Sequence, residues 1–297
     1  MNNTYKILSF DGGGIKGLIS IVILKRLVKE VPLLLKNVNL ISGTSTGGII
    51  ALCLADKTPL ETIKNLYYEN GERIFKKARF NFRGLARGKY TNKNLKEMLE
   101  EIFEGRTLCE LKKNVLIPTF DLDGENGKRA WKPKFFDNID KNDPDCEELI
   151  SNIALYTSAA PTFFPAVNGF IDGGVCANNP SMAAVSNALS RNIKVDNLRV
   201  LSIGTGQNLK YIDNKEANYG LLKWTSNIFD IMFDGLIDIP NYQCKAILKE
   251  NFCRINPTSE NGTIPEMDEW KKRDELVEIG NSVDITKVVK WLKDNWI

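Results

Sequence analysis

Short runs of β-branched and aromatic residues recur at 5–10, 38–42, 115–120, 169–171 and 198–203, and helix-spaced patterns fill much of the space between them. Strands that alternate with helices are joined by crossovers that return the chain parallel to the strand it left. The pattern therefore predicts an α/β fold with a mostly parallel sheet. The stretch 16–30 is apolar on most sides, with Lys25, Arg26, Lys29 and Glu30 as a narrow polar stripe, so it is expected to pack on that sheet and to stop near Pro32. At 92–103, Leu95, Met98, Leu99, Ile102 and Phe103 follow helix spacing behind Thr91 as a cap, which predicts a half-exposed surface helix. With 297 residues, 43% of them hydrophobic, and no internal repeat or long linker, a single domain over 1–297 is the simplest expectation.

Three turns fall at the ends of these strand-like runs. The first, "SFDGGGIKG", gives G-x-G-x-x-G at Gly12, Gly14 and Gly17, which is also the setting of a dinucleotide fingerprint. Asp11 argues against that use, because it sets a negative charge beside a pyrophosphate, and the next strand ends in Ser42 and glycine where an acid would hold a ribose. The second, "GTSTG", follows the strand-like "VNLIS" and precedes the helical "GIIALCLA". It is a nucleophile elbow in its strand-turn-helix setting: Gly43 and Gly47 give the turn room and lift Ser45 out of the sheet, at the N-terminus of a helix whose dipole favours a developing alkoxide.

The chain has no histidine, so a Ser-His-Asp or Cys-His mechanism within it is excluded, as is any metal site built on imidazole. The third turn supplies another base. Asp172 ends the short "GFI" run ahead of Gly173 and Gly174, so its carboxylate is expected at the same sheet edge. An aspartate of ordinary pKa, about 3.9, is a weak base for a hydroxyl, and burial in an apolar pocket raises that value. Asp11, Asp121 and Asp123 are the rival bases. If Ser45 attacks an acyl carbonyl, the N–H groups of Gly12, Gly13 and Gly14 are placed to hold the oxyanion, with Lys16 adding positive field or pointing to solvent.

DGGGIKG, GTSTG and DGG, in that order, resemble the patatin-like phospholipases, serine acyl hydrolases with a Ser-Asp dyad. The resemblance covers about 5–206, including "VLIPTFDLD" and "TSAAPTFFPAV"; 207–297 is similar in general layout only. It implies a patatin-like three-layer αβα fold, Ser45 as nucleophile, Asp172 as its partner, the Gly12 to Gly14 turn as oxyanion hole, and no metal or other cofactor. The implied substrate is a phospholipid or another acyl lipid. A catalytically silent lipid-binding or scaffold module of the same fold is the alternative.

The remaining features concern surroundings. A formal charge of +3 is too mild to make nucleic acid the main partner. Lys76, Lys77, Arg79, Arg83, Arg87 and Lys89 form an acid-free stretch interleaved with Phe80, Phe82 and Leu85, which either meets a peripheral membrane surface or is a solvated loop with its phenylalanines turned inward. The C-terminal "ITKVVKWLKDNW" places Ile285, Val288, Val289, Leu292 and Trp296 on one helical face, which favours core packing over a membrane helix. No apolar stretch approaches the roughly 20 residues that cross a bilayer. The six cysteines show no C-x-x-C pair and are read as reduced core thiols of a cytoplasmic protein.

Overall fold

Strand β1 (Tyr5–Phe10) is followed along the chain by β2 (Leu40–Gly43), β3 (Asn114–Asp121), β4 (Lys132–Asp137), β5 (Phe170–Asp172), β6 (Leu198–Ile203), the two-residue β7 (Gln207–Asn208), β8 (Phe252–Ile255) and β9 (Thr258–Ser259). The computed structural model describes residues 4–76, 88–124, 130–209, 211–212, 220–259 and 263–297. Seven strands form one sheet in the order β4-β3-β2-β1-β6-β8, with β5 also paired to β3, while β7 and β9 pair separately. The pairs β1–β2, β1–β6, β2–β3 and β6–β8 are parallel, and β4 and β5 run antiparallel to β3.

The helices are α1 (Gly17–Glu30), α2 (Thr46–Ala55), α3 (Leu60–Ile74), α4 (Lys93–Phe103), α5 (Ile150–Thr157), α6 (Gly174–Ala177), α7 (Ser181–Ser190), α8 (Leu221–Leu248), α9 (Arg273–Ser282) and α10 (Thr286–Asn295). Side chains alternate across a strand, so each strand feeds two cores. Leu8, Phe10, Ile41, Val115, Ile117 and Leu201 join the larger core with α1 to α5, α9 and α10. Ile7, Leu40, Leu116 and Val200 face the other way, toward Ala184, Val185 and Ala188 of α7 and Cys244 and Leu248 of α8. The fold is α/β, with helical layers on both faces of a mostly parallel sheet.

Pairing on β3 positions the site. Leu40, Ile41 and Ser42 pair with Asn114, Val115 and Leu116, β4 pairs along Leu116 to Asp121, and β5 pairs with Thr119, Phe120 and Asp121. A strand has two edges. Since β4 fills one, β5 takes over the edge that β2 leaves when it turns at Gly43. Between the two stretches sits Pro118, which has no N–H to leave unpaired.

The last third of the chain is integral to this arrangement. Strand β8 extends the main sheet. Arg26 of α1 donates to the Gly280 and Val283 carbonyls at 2.8 Å each, fixing α9 on α1. Val288, Leu292 and Trp296 of the C-terminal stretch are buried, and the Trp296 indole donates to the Leu34 carbonyl at 3.0 Å, so that helix is a core element as expected. Among the described residues no helix is long and apolar enough to cross a membrane.

One expectation is corrected: the six cysteines are not all free, because Cys109 and Cys146 are joined in a disulfide. They lie far apart in sequence, so no spacing motif marks them; the short turns at Leu108–Glu110 and Pro144–Glu147 bring them together. Cys53, Cys176, Cys244 and Cys253 are free thiols.

Candidate active site

Ser45 sits on a sharp turn between β2 and α2, with φ 55° and ψ −123°. A non-glycine residue held there costs about 1–3 kcal/mol and needs its surroundings to over-determine it. They do. The Ser45 N–H donates to the Thr157 hydroxyl at 2.9 Å, and that hydroxyl donates to the Pro118 carbonyl at 2.7 Å. The Thr44 hydroxyl donates to the Ala177 carbonyl at 2.6 Å. A Cβ at Gly43 would strike the backbone of Gly47, and one at Gly47 would strike the Phe10 carbonyl, so the turn can cross β1 this closely only with glycine at both positions.

Asp172 arrives from β5 on the vacated edge of β3, paired with Thr119. It is buried, its carboxylate accepts the Gly174 N–H at 2.6 Å, and the Ser45 hydroxyl lies near it in the same cleft. Burial pushes its pKa up to about 7, against the pull of the Ser45 hydroxyl and the Gly174 N–H. A buried carboxyl that ionises near neutrality suits proton transfer from a hydroxyl. Gly173 precedes the short helix α6, and Gly174 opens it. The nearby Cys176 thiol is pushed up to about 12, first by burial and then by Asp172, which leaves it inert as a nucleophile.

The glycine turn faces this pair. The Gly12 N–H donates to the Asn178 carbonyl at 3.0 Å and its carbonyl accepts the Thr205 hydroxyl at 2.8 Å. Gly12 therefore helps to fix the turn, with both its N–H and its carbonyl bonded. Gly13 and Gly14 border the same cavity as Ser45 and Asp172, and their N–H groups have no acceptor among the described residues. Gly14 has φ +58°, the left-handed region that favours glycine. Gly17 begins α1, and the Ile15 N–H donates to the Met267 carbonyl at 2.9 Å, tying the turn to the last third of the chain.

Two of the rival bases, Asp11 and Asp121, are occupied elsewhere. Asp11 is buried in a bidentate pair with Arg254 of β8, at 3.1 and 2.5 Å, and Arg254 also donates to Ser202 at 2.6 Å. Asp121 caps its own loop, accepting the N–H groups of Asp123 and Gly124 at 2.9 Å each. Lys16 reaches toward the Gly206 carbonyl at 3.4 Å, within the protein and not simply into solvent.

Ser45 and Asp172 lie in an apolar cleft of about 660 Å³, its open mouth included, walled by Ile49, Tyr67, Ile74, Phe75, Leu95, Phe163, Phe164, Phe233 and Met267. Its apolar walls suit a hydrocarbon chain. Asn178, Thr157, Phe233 and Met267 were not singled out from sequence, and only Thr157 lies in a segment that drew attention. Phe233 is delivered by α8, whose Pro240 cannot donate to the Leu236 carbonyl. Asn179 takes that carbonyl with its N–H at 3.2 Å and donates its side-chain amide to Ile237 at 3.1 Å, so α8 is moored beside Asn178. No cluster of metal-ligating side chains occurs among the described residues.

Of the basic stretch, Lys77, Arg79, Arg83 and Arg87 lie outside the described residues. Lys76 is exposed, whereas Lys89 pairs with Asp268, which also accepts the Tyr90 hydroxyl at 2.7 Å.

Several known proteins are similar to this chain. Patatin-like protein 2 of Arabidopsis thaliana is 31% identical over 326 residues, covering 90% of this chain and 79% of its own. A cGAMP-activated phospholipase of Pseudomonas aeruginosa is 31% identical over 275 residues, covering 85% and 78%. Among solved structures, VipD of Legionella pneumophila aligns over 93% of this chain and 67% of its own, at 13% identity and a TM-score of 0.47. The family model for patatin-like phospholipases matches residues 8–185, a span that holds Ser45, Asp172 and the glycine turn. The chain belongs to the patatin-like phospholipase family, whose members are phospholipase-type hydrolases.

Proposed function

We propose that the chain cleaves fatty acyl esters of membrane lipids through an acyl-enzyme on Ser45, with Asp172 as base and the N–H groups of Gly13 and Gly14 as oxyanion donors. The observation that carries this reading is Ser45 in one apolar cleft with a buried carboxyl, Asp172, whose pKa burial pushes up to about 7. Asp172 takes the hydroxyl proton as Ser45 Oγ attacks the ester carbonyl. The tetrahedral oxyanion rests on the glycine turn, and collapse expels the alcohol, which receives the proton from Asp172. Water then attacks the acyl-enzyme with the same carboxylate as base, releasing the fatty acid and restoring Ser45.

The chain works in this reading as one domain over 1–297, in the cytoplasm and peripherally on a lipid surface. Support for the surface comes from α8, where Ile228, Ile231, Met232, Ile239 and Tyr242 are exposed on the helix whose Phe233 enters the cleft. Such exposed apolar residues suit burial at a headgroup boundary.

Fatty acid release from mixed phospholipid vesicles tests the proposal. Ser45→Ala and Asp172→Asn, matched to the parent for folding, are each expected to lose about a thousandfold or more in kcat. Equal activity in all three proteins would overturn the dyad, and lipid binding without turnover in the parent would favour a silent lipid-binding module.

A further inference from the structure

Ser45 and Asp172 come from β2 and β5, strands that do not pair with one another, so no ladder bond sets the distance between them. The end of α5 holds the backbone of both. The Thr157 hydroxyl accepts the Ser45 N–H at 2.9 Å, and two residues on the Ala159 carbonyl accepts the Asp172 N–H at 3.1 Å. Thr157 and Ala159 are buried, and Thr157 does not line the cleft.

The Thr157 hydroxyl has one way to make its bonds. The Ser45 N–H only donates and the Pro118 carbonyl only accepts, so the hydroxyl proton points to Pro118, at 2.7 Å, and a lone pair points to Ser45. Pro118 stands where β5 replaces β2 along β3, and a Cβ at Gly173 would strike its carbonyl, so the turn after Asp172 crosses that same atom. The Thr157 methyl makes a separate contact: it packs against Gly48 of α2, where an added Cβ would strike it.

The bracket is stiff. Tyr156 stacks on Phe170 of β5 with ring centroids 4.7 Å apart, and the Ser158 hydroxyl donates to the Ala154 carbonyl at 2.6 Å, closing the last turn of α5. Ser45 is the member in need of restraint, because its φ of 55° is costly for a residue with a side chain. We propose, resting on the acyl-hydrolase reading above, that Thr157 is a positioning residue for that reaction, its hydroxyl holding Ser45 at the distance from Asp172 at which the proton passes. It acts through Ser45 and touches neither ester nor water. Releasing the Ser45 N–H therefore lowers kcat and leaves KM alone, and a misplacement of about 1 Å costs about a hundredfold in rate.

The test measures kcat and KM on a soluble p-nitrophenyl fatty acyl ester for the parent, Thr157→Val and Thr157→Ser, with thermal melts beside them. Valine keeps the shape and the methyl and removes the hydroxyl, whereas serine keeps the hydroxyl and removes the methyl. Thr157→Val is expected to lose about ten- to a hundredfold in kcat with KM within about twofold of the parent, and Thr157→Ser to keep kcat within about twofold. Trp296→Ala, which loosens the core outside the cleft, is expected to lower Tm and to leave kcat unchanged well below its melting range, which separates lost stability from lost alignment. Should Thr157→Val fail to fold, Thr157→Cys, whose thiol is a weaker donor and acceptor, is expected to lose about fivefold or more in kcat where Thr157→Ser does not. A folded valine variant as active as the parent overturns the positioning role. A serine variant that loses as much as the valine or cysteine variant assigns the effect to packing on Gly48 and overturns it too. Both outcomes leave the hydrolase reading standing. A parent that releases no product from this ester or from phospholipid vesicles overturns the hydrolase reading and this proposal with it.

Discussion

Burial of Asp172 pulls reaction and stability in opposite directions. In the proposed mechanism its carboxylate is the form that accepts a proton from Ser45, so kcat/KM is expected to rise with pH and level off above about 7 in a pH–rate profile. The folded protein holds the carboxyl proton to about pH 7, whereas the unfolded chain releases it near 4. More protons bound in the folded state means that stability falls as pH rises between those values. Asp172→Asn is therefore expected to raise Tm by at least about 2 °C at pH 8 and by almost nothing at pH 4 in paired thermal melts. That Ser45 and Asp172 would meet at one cleft was legible in the sequence, because each stands in a turn at the end of a strand of the same sheet. The bond from the Gly12 N–H was not legible, because its partner, the Asn178 carbonyl, is a backbone group that no motif announces. Thr157 has the same difficulty, since a threonine hydroxyl gives no sign that it will hold the amide of a distant serine.

Two elements position the turns without touching the chemistry. Strand β8 supplies Arg254, buried against Asp11 and Ser202 directly ahead of the glycine turn. Arg254→Met leaves a buried carboxylate without its partner and is expected to cost about 3–5 kcal/mol in urea unfolding. Helix α8 is moored by Asn179, so Asn179→Ala strands the carbonyl that Pro240 frees and is expected to cost about 1–3 kcal/mol. Neither β8 nor β4 was expected from sequence. Strand β8 is only four residues long with a charged residue inside it, and β4 reads "KPKFFD", in which Pro133 and two lysines suit an edge. The central strands were visible because burial on both faces demands near-continuous apolar runs. The limits of β1 and β6 match the expected runs, and β2 is shifted to Leu40–Gly43.

At the scale of the molecule, the last third of the chain closes the structure that the motif-bearing part begins. Trp296 is fully buried, and Trp296→Ala is expected to cost about 3–5 kcal/mol, read as a lower urea midpoint at unchanged slope. Thiol titration of the unfolded protein is expected to find the four free cysteines without reductant and all six after it. On the outer face of α8, Met232→Glu with Ile239→Glu is expected to weaken vesicle co-sedimentation severalfold, because each buries a charge at the lipid boundary. Periodicity carried the α/β alternation and the mostly parallel sheet, and the family resemblance implied the three layers, whereas the 207–297 segment resisted reading because its contribution is a set of long-range contacts, Met267 to Ile15, Arg254 to Asp11 and Trp296 to Leu34.

The handover of one edge of β3 from β2 to β5 also orders events in time. A chain leaving the ribosome presents the GTSTG turn while the strand that carries Asp172 has yet to emerge, and the arginine that steadies the glycine turn follows later still. An unfinished copy therefore holds Ser45 without Asp172 beside it, so under the proposed mechanism translation itself withholds activity until β5 has emerged.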